Sequence, residues 1–163
     1  MGKNVLVKLG SIGVAIIVAI GIYFVKSKGE EKIEQAKAPD VGQCVHFEKD
    51  GTEDKPVDAK CGDAKSSHKV VGDKGACGEN ETTYQVTRSG SSSGAIVELC
   101  LVWDAKKGDC FDTDESKVDC AAAKGSPSIK IVSVGKISAR CAKPAEPLDY
   151  PKRDLRLCAV PNA

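Results

Sequence analysis

The chain has 163 residues, a length that fits one modest domain or two very small ones. Aromatic residues make up only 4%, so a core has to come from Val, Ile, Leu and Ala; a core that thin needs staples, and eight cysteines are there to supply them. The formal net charge is +1, the stretch after Val25 holds 22 basic and 23 acidic residues, and no basic run stands out, which argues against a nucleic-acid partner.

Residues 1–8 are a short basic leader through Lys3 and Lys8. Leu9–Val25 follows as LGSIGVAIIVAIGIYFV, without a charge. With the apolar run Val5–Val7 it reaches the about 20 residues that cross a bilayer core. Lys8 lies near one end, where its stem can snorkel, and Tyr23 and Phe24 fall at the other end, where interfacial aromatics sit. No polar face interrupts the run, as a soluble amphipathic helix would require. The reading is one transmembrane helix over 9–25. A cleaved leader is the rival, but it needs small residues soon after the apolar run. Lys26-Ser27-Lys28-Gly29-Glu30-Glu31-Lys32 stands there instead, and the small-x-small Ala36-Lys37-Ala38 comes late and precedes Pro39. An uncleaved signal-anchor is therefore expected, and no cysteine directly follows the run to carry a lipid. Lysines flank both ends, so orientation rests on the cysteines. Disulfides persist outside the cytosol, which places residues 1–8 in the cytoplasm and the rest of the chain outside. Residues 26–40 read as a charged juxtamembrane stalk ending in Ala38-Pro39-Asp40.

From there the chain repeats itself. Gly42-Gln43-Cys44-Val45, Val57-Asp58-Ala59-Lys60-Cys61, Lys69-Val70-Val71, Cys77, Tyr84 and Leu99-Cys100-Leu101-Val102 come in order. They are matched by Gly108-Asp109-Cys110-Phe111, Val118-Asp119-Cys120, Lys130-Ile131-Val132, Cys141, Tyr150 and Leu157-Cys158-Ala159-Val160. An ordered set of matched contexts marks an internal duplication, with repeats over 41–103 and 104–163. The fold expected is mainly β, with room for short helical turns after Cys61 and Cys120. Strands are expected at Cys44–Phe47, His68–Gly72, Ala95–Trp103, Ile129–Val134 and Leu155–Val160, where β-branched and apolar residues run between turn formers. Asp104–Gly108 reads as a hairpin turn joining the halves, and Arg88–Gly94 as a flexible loop.

Eight cysteines falling four and four read as disulfides. Spacing leaves the pairing open. Sequential pairing is favoured: Cys44 with Cys61, Cys77 with Cys100, Cys110 with Cys120, Cys141 with Cys158. Cys100 with Cys110 competes, because the expected hairpin would bring them together. No metal site is expected: close C-x₂-C pairs are lacking, and His46 and His68 are the only histidines. C-x-x-C, the mark of a thiol oxidoreductase, is lacking too. Asp109, Asp112, Asp114 and Glu115 miss the register of a calcium loop and read as a solvated turn. His68 has no nucleophilic serine motif beside it and reads as a surface or strand-edge residue. Ser89–Ser93 lack the G-x-S-x-G frame and read as linker. Asn80-Glu81-Thr82 is a formal glycosylation sequon, meaningful only in a host that glycosylates secreted chains.

The paired blocks around Gly42-Gln43-Cys44 and Gly108-Asp109-Cys110, each followed by a Val-x-Cys-like element, a Lys-Val-Val-like strand and a Leu-Cys strand, resemble the LppU-type family of actinobacterial envelope (lipo)proteins. More distantly they are similar to septum-formation-like domains. The resemblance spans about Gly42 to Val160 and rests on cysteine contexts rather than on a catalytic signature. It implies a Gram-positive cell-envelope protein and brings no catalytic residues. This chain departs from the lipoprotein members by lacking a lipidated cysteine, and its second repeat has no histidine to match His68. The expectation is a single-pass membrane protein whose outer domain is a non-enzymatic binding or structural module, with no catalytic residues and no cofactor. Its partner would be the membrane and a protein or cell-wall component. The alternative is an envelope enzyme or enzyme accessory whose polar site is assembled from scattered residues.

Overall fold

The computed structural model describes residues 16–20, 38–50, 53–73, 75–88 and 95–163. They form two sheets. The first holds β1 (Ile16–Ile20), β2 (Cys44–Asp50), β3 (Glu53–Ala59), β4 (His68–Asp73), β5 (Thr82–Arg88) and β6 (Ala95–Trp103), in the order β1-β5-β6-β4-β2-β3. The second holds β7 (Cys110–Asp112), β8 (Lys117–Val118), β9 (Ser128–Gly135), β10 (Glu146–Tyr150) and β11 (Leu155–Pro161), in the order β10-β11-β9-β7-β8. With β1 set aside, the two orders are the same when β2–β6 are matched to β7–β11.

The equivalence reaches single residues. Cys44 faces Lys69 across β2 and β4, as Cys110 faces Lys130 across β7 and β9. The pairing of β4 with β6 skips Val71, and that of β9 with β11 skips Val132, so both bulges fall at the same position of the duplicated pattern. Gly42 and Gly108 both adopt φ 98°, a region open to glycine, and donate their N–H groups to Val70 and Ile131. The Asp104 N–H caps Ser67, as the Asn162 N–H caps Ser128. One match made from the sequence shifts: Tyr84 is opposite Leu99, and the residue opposite the equivalent Leu157 is Leu148, not Tyr150.

Every strand expected from the sequence is present, with ends moved by a residue or two and β2 running on to Asp50. Over Leu99–Trp103 the central β6 is apolar and buried toward both sides. Leu99 and Leu101 join Val70 and Tyr84 in one core, while Val102 and Trp103 enter a second, larger one. That second core is otherwise built by Phe111, Ile129, Ile131, Tyr150, Leu157 and Ala159 of the other repeat, and Trp103 stacks on Phe111 at a centroid distance of 4.5 Å. The edge strands β3 and β10 carry Pro56 and Pro147, which suits strands that end a sheet.

Four disulfides join Cys44–Cys61, Cys77–Cys100, Cys110–Cys120 and Cys141–Cys158, two in each repeat, and no described cysteine is free. The competing Cys100–Cys110 pair does not form. Its premise fails as well: Asp104–Gly108 is not a hairpin, since β6 and β7 belong to different sheets. The chain crosses over there because Trp103 plugs into the second core and Asp104 binds back to Gly62 and Ser66. The segments after Cys61 and Cys120 are turns; the one short helix among the described residues is a 3-10 turn at Pro151–Arg153.

Of the apolar run 9–25 expected to cross a membrane, only Ile16–Ile20 is described, and its backbone is a strand parallel to β5. Four of those five residues are β-branched, the class that suits a pleated strand, and without them β5 would be a bare edge. No helix among the described residues is long and apolar enough to cross a membrane. Residues 1–8, the rest of the run and all of the stalk before Ala38 lie outside the described residues, as do Ser89–Gly94.

Candidate functional site

The polar side chains that the fold draws together lie along the seam between the repeats. Glu115 sits at the tip of the β7–β8 hairpin with φ 60°, a left-handed backbone that few non-glycine residues adopt. The turn aims its carboxylate into the first repeat. There Oε2 accepts from Thr82 Oγ1 at 2.8 Å and meets His68 Nε2 at 3.3 Å. An ionised carboxylate only accepts, so Nε2 carries the proton; in the neutral ring Nδ1 then accepts from Ser67 Oγ at 2.9 Å. Burial pushes the Glu115 pKa up, but His68, Thr82 and the Trp103 indole together outweigh it and hold the group below its ordinary value.

A second brace runs the other way. Glu81, whose side chain is fully buried, belongs to the first repeat and takes Arg153 of the second through Nε at 2.7 Å and a longer Nη2 contact. Its other oxygen accepts from the Gly78 N–H at 2.8 Å. Here too burial raises the carboxyl pKa, and Arg153, the Gly78 N–H and Lys152 bring it below the usual range. Gly78 is required by the fit: a Cβ there would stand 2.8 Å from Glu81 Oε1 and 2.9 Å from Lys152 Cβ. Lys152 Nζ donates to the Ala76 carbonyl, and Asn80 Nδ2 to the Asp149 carbonyl. Each repeat therefore lends an acid to a base of the other.

A third contact closes the corner where the chain crosses over. Lys106 and Lys117 donate to the carbonyls of Gly62 and Asp63. Lys117 is buried, pairs with Asp109 at 3.0 Å and lies over the Phe111 ring. Tyr150 accepts from the Trp103 N–H in the shared core, and burial drives its phenol pKa far upward.

These contacts correct two expectations. His68 is no surface residue: it is 2% exposed, and Ile129 takes the equivalent place in the second repeat. The acidic stretch is a turn, as expected, with Asp114 exposed, but it is not solvated throughout: Glu115 and Asp109 point at partners, while Asp112 accepts the N–H groups of Asp114 and Ser116 and so shapes the hairpin tip. Ser67, His68 and Glu115 line up as hydroxyl, imidazole and carboxylate, but Ser67 and His68 are both closed to solvent. His46 forms a local pair with Glu48, and its Nδ1 is buried without a described partner. Asn80 of the sequon is exposed, though its amide is engaged and Thr82 is buried. Cys77, Glu81 and Cys100 bring potential metal ligands within 4.8 Å of one another, but the sulfurs are bonded to each other and the carboxylate to Arg153, so the set is not a metal site. Sequence reasoning missed Glu81, Arg153, Lys117 and the role of Glu115, because each finds its partner only through long-range folding. No protein-family model, curated protein or solved structure matches this chain.

Proposed function

We propose that the chain is a membrane-anchored, extracytoplasmic binding or structural module of a bacterial cell envelope, of the LppU-like kind, and that it works by contact rather than by catalysis. The reciprocal brace carries this reading: Glu81 engages Arg153 and Glu115 engages His68, so the inward-facing ionisable groups fix one repeat against the other. With four disulfides added, the pair becomes a stiff body suited to presenting a surface. The uncharged run 9–25 is long enough to serve as the tether once Ile16–Ile20 is released from β5, and the stalk would give the reach.

The test is made on intact cells expressing the full chain. The protein is expected to stay in the membrane pellet through an alkaline carbonate wash, to lose its folded domain to protease added outside, and to show no free thiol. A fluorophosphonate probe is expected to leave Ser67 unlabelled. Release by carbonate, protection from external protease or reactive thiols would each remove the anchored, outward placement. Labelling of Ser67 would replace the contact module with a hydrolase.

A further inference from the structure

The near-zero net charge conceals a segregation. Residues 38–119 hold 10 basic and 17 acidic side chains, whereas residues 120–163 hold eight basic and three acidic. From Cys120 to Ala145 there is no acid at all, and Lys124, Lys130, Lys136, Arg140 and Lys143 are all exposed. Among the described residues none of these five side chains pairs with a carboxylate.

The fold gathers them on one face. Cys110, Lys130 and Val160 are register partners, and Cys158 is opposite Ser133 and Pro147. The reverse side of the same strands carries Phe111, Ile129, Ile131, Leu157 and Ala159 into the core. Both disulfides of this repeat start from the outer side, so Cys110–Cys120 and Cys141–Cys158 tie residues 119–127 and 136–145 to it. Lys124 and Lys130 fall toward one end of β9, and Lys136, Arg140 and Lys143 beyond the other. Roughly 20 Å of strand separates Lys130 from Lys136. Of the acids nearest in sequence, only Asp149 is paired with a cation among the described residues. Asp119 accepts the N–H groups of Ala121 and Ala122, Asp149 holds Arg156, and Asp154 accepts from Ile137, leaving Glu146 on the edge strand.

We infer that this outer face of the second sheet docks a linear polyanion whose phosphates are spaced along a flexible backbone. A compact anion would reach one end of the stripe only, and an extended polymer neutralises the whole of it. The inference deepens the contact-module reading and rests on it for where the polymer is met. A soluble polyanion probes the face whether or not the anchor holds, so the two can fail separately.

The test uses the full chain in nanodiscs of neutral phosphatidylcholine, with end-labelled long-chain inorganic polyphosphate as the probe. Binding is expected to weaken with salt at a log–log slope of roughly −3.5, from five cations at about 0.7 each on a flexible chain. The variant Lys136→Gln/Arg140→Gln/Lys143→Gln is expected to lose tenfold or more in affinity and to flatten the slope by about 2. The control Lys55→Gln/Lys60→Gln/Lys65→Gln, on exposed lysines of the first repeat, is expected to stay within twofold. Non-reducing mass analysis checks that all four disulfides persist in each variant. Equal losses in both triples, or no binding, would overturn the proposal. So would binding confined to vesicles of anionic phosphatidylglycerol, which would make the partner a planar membrane. Head-to-tail self-association abolished by the first triple would also overturn it, since the acidic half of a second copy would then be the partner.

Discussion

Glu115 shows how much one side chain can hold when a turn aims it correctly. Its folded pKa is lowered, because the donors from His68, Thr82 and Trp103 outweigh burial. The sign follows from linkage: the stabilisation is present above the ordinary carboxylate range and is lost as pH falls through the depressed folded value. Glu115→Gln keeps the size and removes the charge, so it is expected to cost about 1–3 kcal/mol at neutral pH. The wild type should also lose more stability than the variant as pH falls from the ordinary carboxylate value of 4.5 through the depressed folded value. Urea denaturation followed by the fluorescence of Trp103, the single tryptophan, measures both. Parallel pH curves would show that another group carries the acid sensitivity. None of this was legible in the sequence. Glu115 closes an acidic stretch that looks like any solvated loop, and His68 gives no sign that its neighbour across the seam lies 47 positions away.

Elements were legible in proportion to how locally they are determined. The cysteine pairing was readable because each half repeats the same contexts, and the pairs are close in sequence, separated by 17, 23, 10 and 17 positions. The long apolar strands β6 and β11 were readable for the same reason. The weak ones were not. β3 reads EDKPVDA and looks like a loop, and β8 has only two residues, so both exist because a neighbouring strand and a disulfide hold them. The pairing of β6 with β4 and β5 replaced the expected hairpin to β7, since the apolar end of β6 gains more by entering the second core. Loop length ranks the staples. In the chain-entropy account, replacing Cys77 and Cys100 by serine should cost about 0.7 kcal/mol more than replacing Cys110 and Cys120, because the closed loop is longer. Urea midpoints of the two double variants, compared at equal slope, give the difference. The reverse order would mean that packing around the bridges outweighs the unfolded chain.

At the scale of the whole molecule the repeats are two in sequence and one in stability. Val102 and Trp103 stay paired with Lys69 and His68 in the first sheet yet pack into the core of the second, and the acid–base braces cross in both directions. A single cooperative unfolding transition is therefore expected for the domain. Trp103→Ala should lower its stability by about 3–5 kcal/mol and shift both repeats together, as reported by amide exchange in each. Two separated transitions would show that the halves stand alone. The duplication itself is visible in the sequence, and so is the charge segregation between 38–119 and 120–163, which a sum over the whole chain cancels.

The four bridges also decide how this body behaves under mechanical load. A chain pulled between a membrane tether and a held partner lengthens only through residues that no covalent loop encloses. Here β2–β3, the stretch from Cys77 to Cys100, β7–β8 and the stretch from Cys141 to Cys158 are all inside closed loops. Most of the contour is thus withheld from extension. Force applied at Asp40 meets sulfur–sulfur bonds at the four loops and strand pairing at β4 and β9 between them, so the domain lengthens only through the stretches 61–77, 100–110 and 120–141.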